Sequence, residues 1–159
     1  MKMTNEMHIE FAAISENEAF ARMATAAFLM YLDPGMMELE DIKTAVSEAV
    51  TNAIIHGYDM GKESSENEQI EKAGLVEMSC VRDGRKLVVS VVDHGVGIQD
   101  VEAAKQPFFT TKPEEERSGM GFSFMETFMD SLTVESEPGK GTKITMTKSL
   151  GADTSTCDE

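Results

Sequence analysis

Val46-Ser-Glu-Ala-Val-Thr-Asn-Ala-Ile-Ile-His-Gly-Tyr58 carries two helical patterns at once. With the residues before it, it predicts a helix over 37–55, because Leu39, Ile42, Val46, Val50 and Ile54 recur at three- and four-residue steps. A second line runs along the same helix. Glu48, Asn52 and His56 stand at i, i+4 and i+8, so three polar groups share one face. The small residues Ala45, Ala49 and Ala53 flank that line and would allow another group to come close. A carboxamide oxygen is a hard ligand suited to Mg²⁺. A carboxylate one turn away can take a proton from a nearby hydroxyl.

Working outward, Met7 to Ala13 alternates apolar and polar residues and predicts an edge strand. Ser15-Glu-Asn-Glu18 has the spacing of a capping box, opening a helix that reaches Leu32 and stops at Asp33-Pro34-Gly35. Residues 59–74 are polar and predict a solvated loop. Leu75 to Arg82 and Lys86 to Asp93 predict two strands joined by a glycine turn at Asp83-Gly84. A short helix near Asp100 to Lys105, a helix over Phe122 to Asp130, and strands over Leu132 to Glu137 and Thr142 to Lys148 complete the order. Strands next to strands and helices next to helices predict an α/β two-layer sandwich. Its sheet would be mixed and mostly antiparallel, with helices on one face.

Three glycine-bearing motifs accompany the polar helix. Asp93-His-Gly-Val-Gly97 ends an apolar strand; its carboxylate can accept from an exocyclic amine, and its glycines let backbone pass close to a flat ring. Arg117-Ser-Gly-Met-Gly121 leads into a helix N-terminus, where free N–H groups and the helix dipole favour phosphate. Gly139-Lys-Gly-Thr142 links the last two strands. Each motif alone is ordinary turn material. Neither a P-loop nor a dinucleotide fingerprint occurs.

Composition limits the functions open to the chain. Its 159 residues suffice for a single core that buries roughly 70% of the unfolded surface. Acidic residues outnumber basic ones 29 to 14, a net charge of −15, which argues against nucleic acid and anionic membranes as partners. Residues 105–148 hold six basic groups against seven acidic, so an anion would meet least repulsion there. Two cysteines, Cys80 and Cys157, exclude a disulfide framework and suit a reducing cytosol. The longest apolar run, Met23 to Leu32, is too short to span a bilayer, and the first ten residues show no secretory pattern. Three His and two Cys give no zinc spacing. The thirteen methionines read mostly as core filler, and no apolar stripe is left over to mark a dimer seam. The expectation is a cytoplasmic domain over 1–150 with a disordered acidic tail over 151–159.

In chain order the four elements are Glu-x-x-x-Asn, Asp-x-Gly-x-Gly, Gly-x-Gly and Gly-Thr. That order resembles the GHKL ATPase/kinase superfamily, whose ATP-binding fold is the Bergerat α/β sandwich. Ser15–Arg22, Val46–Tyr58, Phe109-Thr-Thr-Lys-Pro113, Glu116–Phe122 and Met125–Asp130 further resemble the anti-sigma F factors of spore-forming bacteria. The likeness covers about residues 5–150; the loop over 59–74 is longer than usual and the tail is extra.

The resemblance implies an ATP- and Mg²⁺-dependent serine protein kinase, a homodimer, that inhibits a sporulation sigma factor and phosphorylates its anti-anti-sigma antagonist. It implies Glu48 as base, Asn52 as Mg²⁺ ligand, and Asp93 on the adenine amine, with Gly95, Gly97 and Thr142 around the base. Gly119, Met120 and Gly121 would receive the phosphates under a lid over 106–119, with Thr110, Thr111 and Ser118 also counted among the nucleotide-binding residues. Arg117 would reach the γ-phosphate, and Arg22 would meet both protein partners. Two rivals stay open: a histidine-kinase catalytic domain, although no phosphoacceptor His sits on a helical hairpin, and a module in which ATP is purely structural.

Overall fold

Alternation along residues 75–93 builds the centre of the sheet. In β2 (Leu75–Asp83) and β3 (Lys86–Asp93) every second residue is buried. Gly84, at φ 60°, makes the turn between them. The computed structural model describes residues 4–57, 74–106 and 121–151. The loop over 59–73, the tail from 152, and the candidate residues Thr110, Thr111, Arg117, Ser118, Gly119 and Met120 lie outside the described residues.

Strands β1 (Thr4–Ala12), β4 (Ser131–Glu137) and β5 (Gly141–Ser149) complete a five-stranded sheet in the order β1-β2-β3-β5-β4. The two-layer α/β expectation holds, and all four strand pairings are antiparallel. No parallel pair forms because β5 inserts between β3 and β4, which run in the same direction.

Helices α1 (Glu16–Leu29) and α2 (Met36–Asn52) precede β2, and α3 (Val101–Ala104) and α4 (Gly121–Phe128) lie between β3 and β4. The register arranges the helix-facing side chains in four rows. Two apolar rows, Ile9-Met78-Val91-Ile144-Val134 and Met7-Cys80-Val89-Met146-Leu132, form the middle. Phe11-Val76-Asp93-Thr142-Ser136 closes one end and Asn5-Arg82-Leu87-Lys148 the other. Leu29, Ile42, Val46, Val50 and Met125 pack onto these rows with no exposed surface. Fully burying a side chain of this kind contributes about 1.5–3 kcal/mol.

Four local expectations need correction. The Ser15 side chain makes no cap bond, because Ser15 already has helical dihedrals (φ −58°, ψ −34°) where a capping residue must be extended. Glu18 turns instead to α2, accepting from the Ser47 hydroxyl, and pairs with Arg22 at 3.5 Å. Ala45, Ala49 and Ala53 lie in the core, so their small size serves close packing inside the fold and not the approach of a ligand. The regular turns of α2 end at Asn52, and Ala53–Gly57 continues as a wider π-helical turn.

The fourth correction concerns α1. Phe20, Met23, Met30 and Tyr31 are all more than half exposed. Phe20, Met23, exposed Ala27 and Met30 follow a 3-4-3 spacing along the outer side of the helix, and Tyr31, four residues after Ala27, adds to it in the 3₁₀ extension Met30–Leu32. An apolar stripe is therefore left over, and several methionines (Met23, Met30, Met36, Met37) are on the surface and not in the core.

Candidate nucleotide site

Glu48 and Asn52 meet Gly121, the first residue of α4. A Cβ at position 121 would lie 3.1 Å from Glu48 Oε2 and 3.4 Å from both Oδ1 and Nδ2 of Asn52. Gly121 lies outside the positive-φ region, so space and not backbone conformation requires glycine there. The carboxylate, the carboxamide and the N-terminal end of an eight-residue helix thus share one small cradle. Glu48 and Asn52, four positions apart, are brought together with Gly121, about 70 positions further along the sequence.

At the edge of the sheet, Asp93 is buried at 6% exposure in the row with Thr142 and Ser136. Its Oδ1 accepts the Gly95 N–H at 3.0 Å, closing an Asx-type turn. Burial raises its carboxyl above the usual carboxylate range; the Gly95 N–H, His94 and the Thr142 N–H oppose that rise. A donor such as an exocyclic amine would return to this carboxylate some of the hydrogen bonding lost on burial.

Glycines let two backbone segments touch beside Asp93. Gly97 (φ +73°) would place a Cβ 2.2 Å from the Glu137 carbonyl oxygen, and Gly141 (φ +97°) one 2.0 Å from the Asp93 carbonyl oxygen. The Gly139 N–H donates to Val96 O at 2.8 Å, and the Ile98 N–H donates to Ser136 Oγ at 2.8 Å. Ser136 Oγ also bonds Gly141 O at 2.9 Å and Thr142 Oγ1 at 2.8 Å. The sequence reading missed Ser136. Its signal was available: alternation from Leu132 and Val134 puts it on the helix-facing side, where a hydroxyl needs a partner.

His94 is exposed and lies 3.4 Å from Glu77 Oε2. Among the described residues no three His, Cys, Asp or Glu groups converge on a metal position. Mg²⁺ bound mainly by phosphates and water needs only one or two protein oxygens. Asn52 Oδ1 beside Glu48, at a cradle a single methyl would fill, fits that requirement. Among the described residues no helix is long and apolar enough to cross a membrane.

The family model described as histidine kinase-like ATPase domain matches residues 11–148, so the fold is that of this ATPase class. The anti-sigma F factor of Thermoanaerobacter pseudethanolicus is 52% identical over 153 residues, 96% of this chain and 99% of the relative. That of Bacillus subtilis is 50% identical over 156 residues, 98% of this chain and all of the relative. The chain belongs to the anti-sigma F factor family. Two solved structures share the fold at low identity. The RsbU and RsbW domains of a Mycobacterium tuberculosis protein give a TM-score of 0.59 at 21% identity, covering 92% of this chain and 32% of that one. The SiaB–SiaC complex from Pseudomonas aeruginosa gives 0.53 at 10%, covering 91% and 89%.

Proposed function

We propose that the chain is an ATP-dependent serine protein kinase that binds and inhibits a sporulation sigma factor. Its substrate is the anti-anti-sigma antagonist of that sigma factor, phosphorylated on serine. The observation that carries this reading is the convergence of Glu48 and Asn52 on Gly121. The names of the relatives supply the sigma-factor partner, and the ATPase-domain match supplies the nucleotide.

Bound ATP with Mg²⁺ supplies the phosphoryl group and the divalent charge that offsets its oxygens. The chain's own residues then have distinct tasks. Asp93 accepts from the adenine amine through its carboxylate. Asn52 offers Oδ1 to the metal. The Gly121 end of α4 turns its free N–H groups and positive dipole end toward phosphate oxygens. Glu48 takes the serine proton as Oγ bonds to phosphorus and the bond to the ADP oxygen breaks. A general base of this kind contributes about 10²–10⁴ in rate, with the low end expected for a loose transition state. Arg117, Gly119 and Met120 join the phosphate site on the strength of the family resemblance.

The outward stripe of α1 supports the protein partners. It is nearly free of charge in a chain of net −15, so two copies can pair along it without repulsion, and a homodimer forms there. Arg22, on the same helix and held by Glu18, is the proposed contact for the sigma factor and for the substrate protein.

Glu48→Gln tests the assignment. The amide preserves size, so ATP affinity should change less than tenfold while phosphotransfer falls by about 10² or more. Full-speed transfer by the variant would remove Glu48 as the base. Loss of ATP binding would make it part of the nucleotide site instead.

A further inference from the structure

Lys148 occupies a place the alternation of β5 reserves for the core. It follows Ile144 and Met146 on the helix-facing side, and its side chain is only 14% exposed. Its Nζ donates to the Phe128 carbonyl at 2.6 Å, at the C-terminal end of α4, and lies 3.9 Å from Asp41 Oδ2 in the first half of α2. The chain after α4 is held to the same strand: the Asp130 N–H donates to Thr147 O at 2.8 Å, and Asp130 Oδ2 accepts the Ser149 N–H at 2.7 Å.

These contacts sit at the far end of both helices from the cradle. The helix α4 touches Glu48 and Asn52 at its first residue and Lys148 at its last, about 10 Å along its axis. Asp41 and Asn52 are eleven residues apart on α2, about 16 Å. One ammonium group therefore joins α4, α2 and β5 at the C-terminal end of α4, where a helix runs out of N–H donors for its last carbonyls and its dipole is negative. Ser or Thr there would be too short to reach both the carbonyl and the carboxylate, and an apolar residue would offer no donor.

We propose that Lys148 is a positioning residue: it sets the tilt and axial place of α4 against α2, and so the spacing of Gly121 from Glu48 and Asn52. The inference rests on the kinase reading for its kinetic consequence alone. Phosphoryl transfer depends on positioning, and a displacement of about 1 Å can cost 10²-fold in rate.

The test compares Lys148→Met, which keeps the stem and loses charge and donor, with Lys148→Arg, which keeps both. Hydrogen exchange of the 121–128 amides is followed in the nucleotide-free chain, and kcat and KM for ATP are measured well below the melting temperature. Lys148→Met should lose protection tenfold or more across α4 and lose tenfold or more in kcat, with KM for ATP changed less than threefold. Lys148→Arg should restore both to within threefold of wild type. Should Lys148→Met fail to fold, Asp41→Asn, which leaves the Lys148 stem in place, should show the same pattern in weaker form. Unchanged exchange would overturn the clamp. Lost protection with unchanged kcat would reduce Lys148 to a stabilising residue and overturn its positioning role. A wild-type chain that transfers no phosphate would refute the kinase reading, and the exchange measurement would still decide the clamp.

Discussion

Replacing Gly121 by alanine should separate stability from activity. Gly121 has ordinary helical backbone and no positive φ, so alanine is conformationally acceptable. Removing glycine's freedom from the unfolded chain stabilises by about 0.4–1 kcal/mol. For a chain of this size, that amounts to about 1–4 °C in Tm. The added methyl, however, lies 3.1 Å from Glu48 Oε2 and 3.4 Å from the Asn52 carboxamide. Ordinary carbon–oxygen contact begins near 3.4 Å, so Glu48 must retreat by a few tenths of an ångström. If 1 Å costs about 10²-fold, a few tenths should cost about 3–30-fold in kcat. Calorimetry and steady-state phosphotransfer on one preparation read both quantities. A Tm within a few degrees of wild type or above, with kcat lowered, is expected. Full kcat would show that the cradle is not where the chemistry occurs, and a Tm lowered by more than about 5 °C would show that the backbone needs glycine after all.

Gly141→Ala should do the opposite, unfolding the chain more readily. Its φ of +97° and a Cβ 2.0 Å from the Asp93 carbonyl oxygen forbid alanine without moving β3 or β5, and a loss of at least about 2 kcal/mol should lower Tm by about 4 °C or more. Asp93→Asn should weaken ATP binding by about 10-fold to 100-fold by titration calorimetry. Gly95 already holds one carboxylate oxygen, and the asparagine NH₂ would face the adenine amine donor to donor. The same variant should be at least as stable as wild type at neutral pH. Because burial raises the folded-state pKa of Asp93, the native chain holds its proton to higher pH than the unfolded chain does. Stability then falls as pH rises through the window between the two values, and the asparagine escapes that loss. The stability difference between Asp93→Asn and wild type should vanish in acid, below about pH 4; a difference that grows in acid would reverse the sign assigned to Asp93.

Strand positions were legible because alternation in 75–93 and 141–149 reports burial directly, and the turn at Gly84 needs a residue type that composition reveals. The cradle was legible only as an order of motifs. Nothing local says that Glu48 and Gly121 will touch, since that contact depends on how α4 packs along α2. Ser15 misled because a capping box is a statement about dihedrals as well as residue types, and residues 15–18 had already entered the helix. The outer stripe of α1 was hidden by composition. Between Ala19 and Leu29 only Arg22 and Thr25 are polar, so both sides of the helix look like core, and register against β1 and β2 alone shows which side is outward. The π-helical turn after Asn52 has no sequence signature; it lies where Ala53–Gly57 packs against β3 and β5. Ser136 and Lys148 were readable in principle, as polar residues on the buried side of otherwise apolar strands.

The central claim is transfer of phosphate to a serine by the cradle of Glu48, Asn52 and Gly121. It is tested most directly by incubating the chain with ATP, Mg²⁺ and the anti-anti-sigma protein and mapping the modified residue by mass spectrometry. One phosphoserine per substrate molecule, lost with Glu48→Gln and retained in part by Gly121→Ala, is the expected result. Phosphate on histidine, or an unmodified substrate in the presence of bound ATP, would contradict it.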